Sequence, residues 1–204
     1  GYIANKWAFS LTEKCIVLED DDVASVCFFD FCKKMLDKYE KDERIMLITG
    51  INEEEITEDI NSDYFFSATT YTNGWASWGR VVNNWDPTYQ CLKDKNSKKK
   101  IKKFISDYGL LKKMPWVFKR HLDSGIEHWE TILISNQYLH EGLTIVPKKN
   151  MINNIGLTND SAHYANSIDK LPKGARKIFT MNRYEIDTDN LLEPKEVKDF
   201  RPYK

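Results

Sequence analysis

The chain has 204 residues, 41% of them apolar and 30% charged, which is enough to bury one core and too little for a second complete domain. Thirty basic side chains stand against thirty-one acidic ones, so the formal charge of -1 excludes a global field favouring nucleic acid or an anionic membrane, and any specificity has to be local. Cys15, Cys27, Cys32 and Cys91 show no CxxC pairing, which argues against a zinc site or a disulfide framework and for reduced thiols, while no apolar stretch approaches membrane-spanning length.

Gly1-Tyr2-Ile3-Ala4 lacks the basic and apolar regions of a signal peptide, and a soluble, cytoplasmic protein is expected. The aromatic Trp7-Ala8-Phe9 stretch looks helical. Cys15-Ile16-Val17-Leu18 then ends abruptly in Glu19-Asp20-Asp21-Asp22, the pattern of a buried strand whose carboxyl end opens at a sheet edge, where open α/β sheets bind ligands. Ser25 offers an N-cap, and Phe28, Cys32, Met35, Leu36 and Tyr39 recur at helical spacing. Residues 44–49 are rich in strand formers and stop at Gly50. The result is a strand-helix-strand unit with a right-handed crossover, and hence a sheet that is at least partly parallel.

Residues 53–63 suit a polar surface loop, and 64–68 a further strand. The segment 73–80 reads as a tight turn that feeds a short helix over 81–85. Lysines crowd 93–103, yet Ile101, Phe104 and Ile105 are spaced helically, so a solvated helix face outweighs a nucleic-acid patch. A helix is predicted from about His128 to His140, ended by Gly142, and a strand over 143–147. A domain over 1–170 is expected, followed by a tail over 171–204 that wraps it or stays partly mobile.

Adjacent carboxylates repel by roughly 4 kcal/mol for a pair 4 Å apart at an effective dielectric near 20, so a crevice lined with them points to a compensating cation. Oxygen-only ligands suit Mg2+ or Mn2+. The competing reading makes Asp20, Asp21 and Asp22 caps for the following helix, at its positive dipole end.

The order of motifs adds to this. Val17-Leu18-Glu19-Asp20-Asp21, Phe28-Phe29, the 39–50 stretch ending in Gly50, and Gly74-Trp75-Ala76-Ser77-Trp78-Gly79-Arg80 together resemble bacterial glycosyltransferases of the type-A fold. Trp129-Glu130, residues 143–147, Asn150, Asn154-Ile155-Gly156 and His163 continue the resemblance. It implies an α/β fold with a mixed sheet flanked by helices, and transfer of a sugar from a nucleoside diphosphate sugar to a hydroxyl of a glycan, lipid-linked sugar or protein. The preceding strand-helix-strand segment that receives the base in such enzymes has no counterpart ahead of Glu19, so the chain is expected to match the later portion of the fold.

The same resemblance implies site roles. Asp21 would hold Mn2+ or Mg2+, with Asp22 and His163 as further metal ligands. Glu19, Asp20 and Arg80 would contact the donor, and Trp75, Trp78, Trp129 and Asn154 the acceptor. Glu130 would be the general base, with Glu127 and Asp123 as substitutes. For each residue there is a plainer role: helix-terminal charge for Glu130, core packing for the tryptophans, and a structural histidine for His163. Two other functions remain on the table, a noncatalytic remnant that binds carbohydrate or metal, and metal-dependent phosphoester hydrolysis.

Overall fold

The computed structural model describes residues 1–68, 70–104 and 108–156. The expected tail, the domain boundary near 170 and His163 lie outside the described residues. Helix α1 spans Tyr2–Leu11 and leads directly into strand β1, Lys14–Val17. Short strand β2 (Asp22–Ala24) and helix α2 (Val26–Lys38) follow, then β3 (Ile45–Thr49), β4 (Tyr64–Ser67) and β5 (Trp75–Trp78). Helices α3 (Gly79–Val82), α4 (Lys95–Phe104), α5 (Tyr108–Ser124) and α6 (Trp129–Leu139) precede β6 (Leu143–Pro147) and β7 (Ile152–Asn154).

Five strands form a mixed sheet in the order β1-β5-β3-β6-β4, in which β3 and β6 run parallel and β5 runs antiparallel to both β1 and β3. This is the expected mixed α/β sheet flanked by helices. Strands β3, β4 and β6 form where 44–49, 64–68 and 143–147 are expected to, and helices α2, α4 and α6 form after the Ser25 cap, within the lysine-rich stretch from 93 and in the segment from about His128 to His140. Two expectations need correction. Residues 75–78 are a fully buried strand instead of part of a turn, because Trp75 and Trp78 each need an apolar layer and strand alternation offers one on both faces. Strand β1 is half-buried at a sheet edge, with β5 inserted between it and β3, instead of lying in the interior.

Strand alternation builds two cores. On one face, Phe28, Phe31, Cys32 and Met35 of α2 pack on Ile48, Tyr64, Phe66, Ala76 and Trp78. On the other, Leu47 and Trp75 meet Phe9 of α1, Trp85, Tyr89, and Trp129 and Leu133 of α6. Trp75 stacks on Phe9 and Trp129, with ring centroids 5.9 and 5.6 Å apart, while Trp85 stacks on Trp129 at 6.3 Å. Burying each such ring is worth about 3 kcal/mol or somewhat less, so this aromatic wall anchors α1 and α6 to the sheet.

Helix α6 ends as the glycine at 142 predicts, though through a neighbour: Glu141 takes the left-handed turn (φ 52°), and Gly142 donates back to the Gln137 carbonyl at 2.8 Å. Gly142 is needed for space, since a Cβ there would overlap Met46 Sδ. Gln137, fully buried, donates to Gly142 O and Thr144 Oγ1, tying α6 to the start of β6.

Candidate functional site

The carboxyl ends of β1 and β3 and the start of β5 lie at one edge of the sheet, because Val17 and Thr49 both pair with Trp75. The Glu19–Asp22 loop leaves β1 at that edge. Helix α6 begins there too, near enough for Glu130 to act electrostatically on Glu19. The fold therefore brings the acidic loop and the first turn of α6 together from distant parts of the chain.

Asp22 holds the loop shut. Its Oδ2 accepts hydrogen bonds from the backbone N–H of Gly74 (2.8 Å) and of Glu19 (3.1 Å), and Oδ1 takes the side-chain amides of Asn73 and Asn154, each at 3.4 Å. Gly74 reaches this carboxylate because it adopts φ +56°, and a Cβ there would also strike Ile152 at 2.5 Å. The small ribbon of β2 and β7 completes the cage by pairing Asp22 with Asn154 in register. Loss of water raises the Asp22 carboxyl above its usual range, against the lowering effect of its hydrogen bonds.

With both oxygens engaged, Asp22 acts as the tie of the loop. It does not cap α2, whose N-cap position belongs to Ser25; the Ser25 hydroxyl pairs with Cys27 Sγ at 2.9 Å instead of capping.

Asp21 is different. Its backbone carbonyl accepts from Ile155 N–H at 2.8 Å, which fixes the residue, yet its side-chain Oδ1 is buried with no hydrogen-bond partner. Gly156 abuts the same carboxyl so closely that a Cβ would overlap Oδ2. A buried acceptor without a donor costs on the order of 1–3 kcal/mol, which a bound cation or its water would offset.

Glu19 is exposed as a residue, but loss of water around its carboxyl pushes it up to about 6, reinforced in turn by the charges of Asp22, Asp21, Glu130 and Asp20. Every charge that raises it is a carboxylate. Asp20 is exposed at the loop tip. Among the described residues, no group of three His, Cys, Asp or Glu side chains converges in the manner of a preformed metal cage.

Glu130 is exposed in the first turn of α6, beside the buried Trp129. That turn is braced by Thr131, whose hydroxyl lies 2.8 Å from both Tyr89 Oη and His121 Nδ1 and 2.9 Å from the His128 carbonyl. A hydroxyl has one proton to give. When it goes to His128 O, Tyr89 and His121 must both donate, placing a proton on Nδ1 of His121. The His121 ring stacks on His128 at 3.8 Å. Asp123 forms an ion pair with Lys119 at 2.7 Å, and Glu127 is exposed.

The remaining sequence-derived candidates are buried in the cores or lie elsewhere. Trp75, Trp78 and Trp129 are 0%, 2% and 8% exposed and present no open ring face, their surfaces being spent on the two cores. Arg80 sits at the opposite sheet edge. Its guanidinium donates to the carbonyls of Tyr39, Glu40, Asp42 and Ile45 at 2.9–3.3 Å and stacks over Trp78 at 4.5 Å, which leaves it closing the α2–β3 connection. An open cleft of about 600 Å3 also lies at that far edge, lined by residues including Phe9, Lys14, Trp78 and Arg80, and is separate from the acidic loop.

Sequence reasoning passed over Asn73, the Gly74 N–H and Thr131. The Asn73-Gly74 pair carried the one available signal, a turn dipeptide placed before a buried strand. Compared with known proteins, the chain matches no family model and no curated relative.

Proposed function

We propose that the acidic edge is a divalent-cation site serving transfer of a sugar from a nucleoside diphosphate donor to a hydroxyl, within a type-A-like glycosyltransferase fold. The observation that carries this reading is the buried, partnerless Oδ1 of Asp21 in a loop whose other charges are all negative.

The residues fit a hard cation by chemistry, since only oxygen is offered. Mg2+ or Mn2+ is held by one or two carboxylates and completes its shell with water and phosphate oxygens, a demand that Asp21 and Glu19 can meet. Asp21 and Glu19 would hold it, and Asp22 would hold the loop. The cation, when bound, supplies positive charge to a departing diphosphate.

Glu130 would accept the proton of the acceptor hydroxyl, as an exposed carboxylate on the same edge fixed at its base by Trp129 and Thr131. Asn154, which donates to Asp22 and accepts from Gly156 N–H at 2.9 Å, sets the shape of the turn beside Asp21. Arg80 and the three tryptophans serve this reading as scaffold. The burial of those tryptophans favours, as the second reading, a binding module without a sugar platform.

Titration calorimetry with Mn2+ and a panel of nucleoside diphosphates, on the chain and its Asp21→Ala variant, separates the readings. Metal-dependent nucleotide binding that disappears in the variant supports the transferase. Metal binding without nucleotide supports the module, and binding of neither sinks both.

A further inference from the structure

The overall charge of -1 hides a strong segregation. Residues 93–120 hold eleven basic and two acidic side chains, leaving nineteen basic against twenty-nine acidic in the rest of the chain. Helix α4 contains no acidic residue, so Lys95, Lys98, Lys99 and Lys102 stand at i, i+3, i+4 and i+7, all exposed, with no opposite charge on their own helix. Like charges at that spacing destabilise a helix, and nothing in the packing requires them. Ile101 and Phe104 already turn toward the aromatic core, as do Met114 and Phe118 of α5.

Helix α5 carries the second feature. Trp116 is 61% exposed in its outward face, flanked one turn away by the exposed Lys113 and Arg120 and by Lys119, which is paired with Asp123, with the Arg120 guanidinium 5.6 Å from its ring. A solvated helix face has no use for an exposed tryptophan. A ring with an apolar body and a polar N–H, ringed by long cationic side chains, matches the boundary between lipid headgroups and acyl chains.

From the charge segregation and the exposed tryptophan we infer that the outer faces of α4 and α5 form a docking surface for an anionic lipid bilayer, held by lysine charge and by shallow insertion of Trp116. The prevalence of lysine over arginine favours a diffuse anionic surface over bidentate reading of individual phosphates in a nucleic acid. No helix among the described residues is long and apolar enough to cross a membrane, and the inferred attachment is to the bilayer surface. This surface is independent of the acidic edge and holds whatever that edge binds.

Co-sedimentation of the full chain with vesicles tests it. Vesicles of phosphatidylcholine mixed with phosphatidylserine should carry the protein down, and vesicles of phosphatidylcholine alone should not. Raising salt from about 0.1 M to about 1 M, which shortens the screening length from about 10 Å to about 3 Å, should release it. Replacing Lys98, Lys99 and Lys102 with Gln should weaken binding about a hundredfold, at about fivefold per charge. Trp116→Ala should weaken it about tenfold. All four positions are exposed, and circular dichroism verifies that the variants fold. Equal binding to both vesicle types, binding unchanged in the lysine variant, or binding of single-stranded RNA without binding of vesicles would each overturn the inference.

Discussion

Strand β5 has a glycine-flanked tryptophan at each end, and the two ends have opposite characters. At the Trp78-Gly79 end, the cation Arg80 is matched by four backbone carbonyls and an aromatic face. At the Gly74-Trp75 end, carboxylates gather, one of them with a buried oxygen that accepts nothing, and one is pushed up to about 6 by lost solvent and like charge. The first end is electrostatically complete, and the second carries uncompensated negative charge that the proposed cation would balance. Protein folds tolerate such an imbalance where a ligand supplies the missing charge.

The largest break in this comparison is Arg80→Ala. Removing a half-buried guanidinium that satisfies several carbonyls should cost about 3 kcal/mol, read as a lower urea midpoint, with cation affinity at the far end unchanged. A change in affinity without loss of stability would place Arg80 in the site after all.

Next come the two glycines. Gly74→Ala should cost about 2 kcal/mol and loosen Asp22, since its backbone is left-handed and its Cβ would meet Ile152. Gly79→Ala should cost less, about 1 kcal/mol, because Gly79 begins a helix and its Cβ would crowd the Phe9 carbonyl at 3.2 Å without overlapping it. Thermal melts of the pair measure the contrast directly.

The smallest effect is Glu19→Gln. A carboxyl whose folded pKa is raised destabilises the fold when ionised, so the cost is absent below its ordinary value of 4.5 and is fully present above about 6. Glu19→Gln should therefore leave the melting temperature unchanged in acid and raise stability by about 0.5 kcal/mol at neutral pH, a modest figure because solvent screens an exposed residue. Stabilisation confined to acid would contradict the sign.

Much of this was legible in the sequence, for physical reasons. Phe28, Cys32, Met35 and Leu36 mark α2 by spacing alone, and the abrupt change from Ile16-Val17-Leu18 to four acids marks a strand ending at an open edge. The run from Trp75 to Trp78 was harder to read, because two tryptophans beside two glycines look like a turn, and their burial on opposite faces depends on which helices cover the sheet. The acidic loop announced itself, but the division of labour inside it did not. That Asp22 is the tie, while Asp21 keeps a bare oxygen, follows from Gly74 and Asn154, which lie far along the chain. Arg80 shows the reverse failure, an arginine near a motif whose charge is consumed by carbonyls that no local pattern predicts.

The claim that the acidic edge is built for a cation is tested most directly by electron paramagnetic resonance of Mn2+ titrated with the chain, at about pH 5 and about pH 7. The free-ion signal should fall on adding protein, more strongly at the higher pH because Glu19 loses its proton near 6, and Asp21→Ala should abolish the loss of signal. A signal unchanged by the protein at neutral pH, or reduced equally by the chain and by Asp21→Ala, would contradict the account.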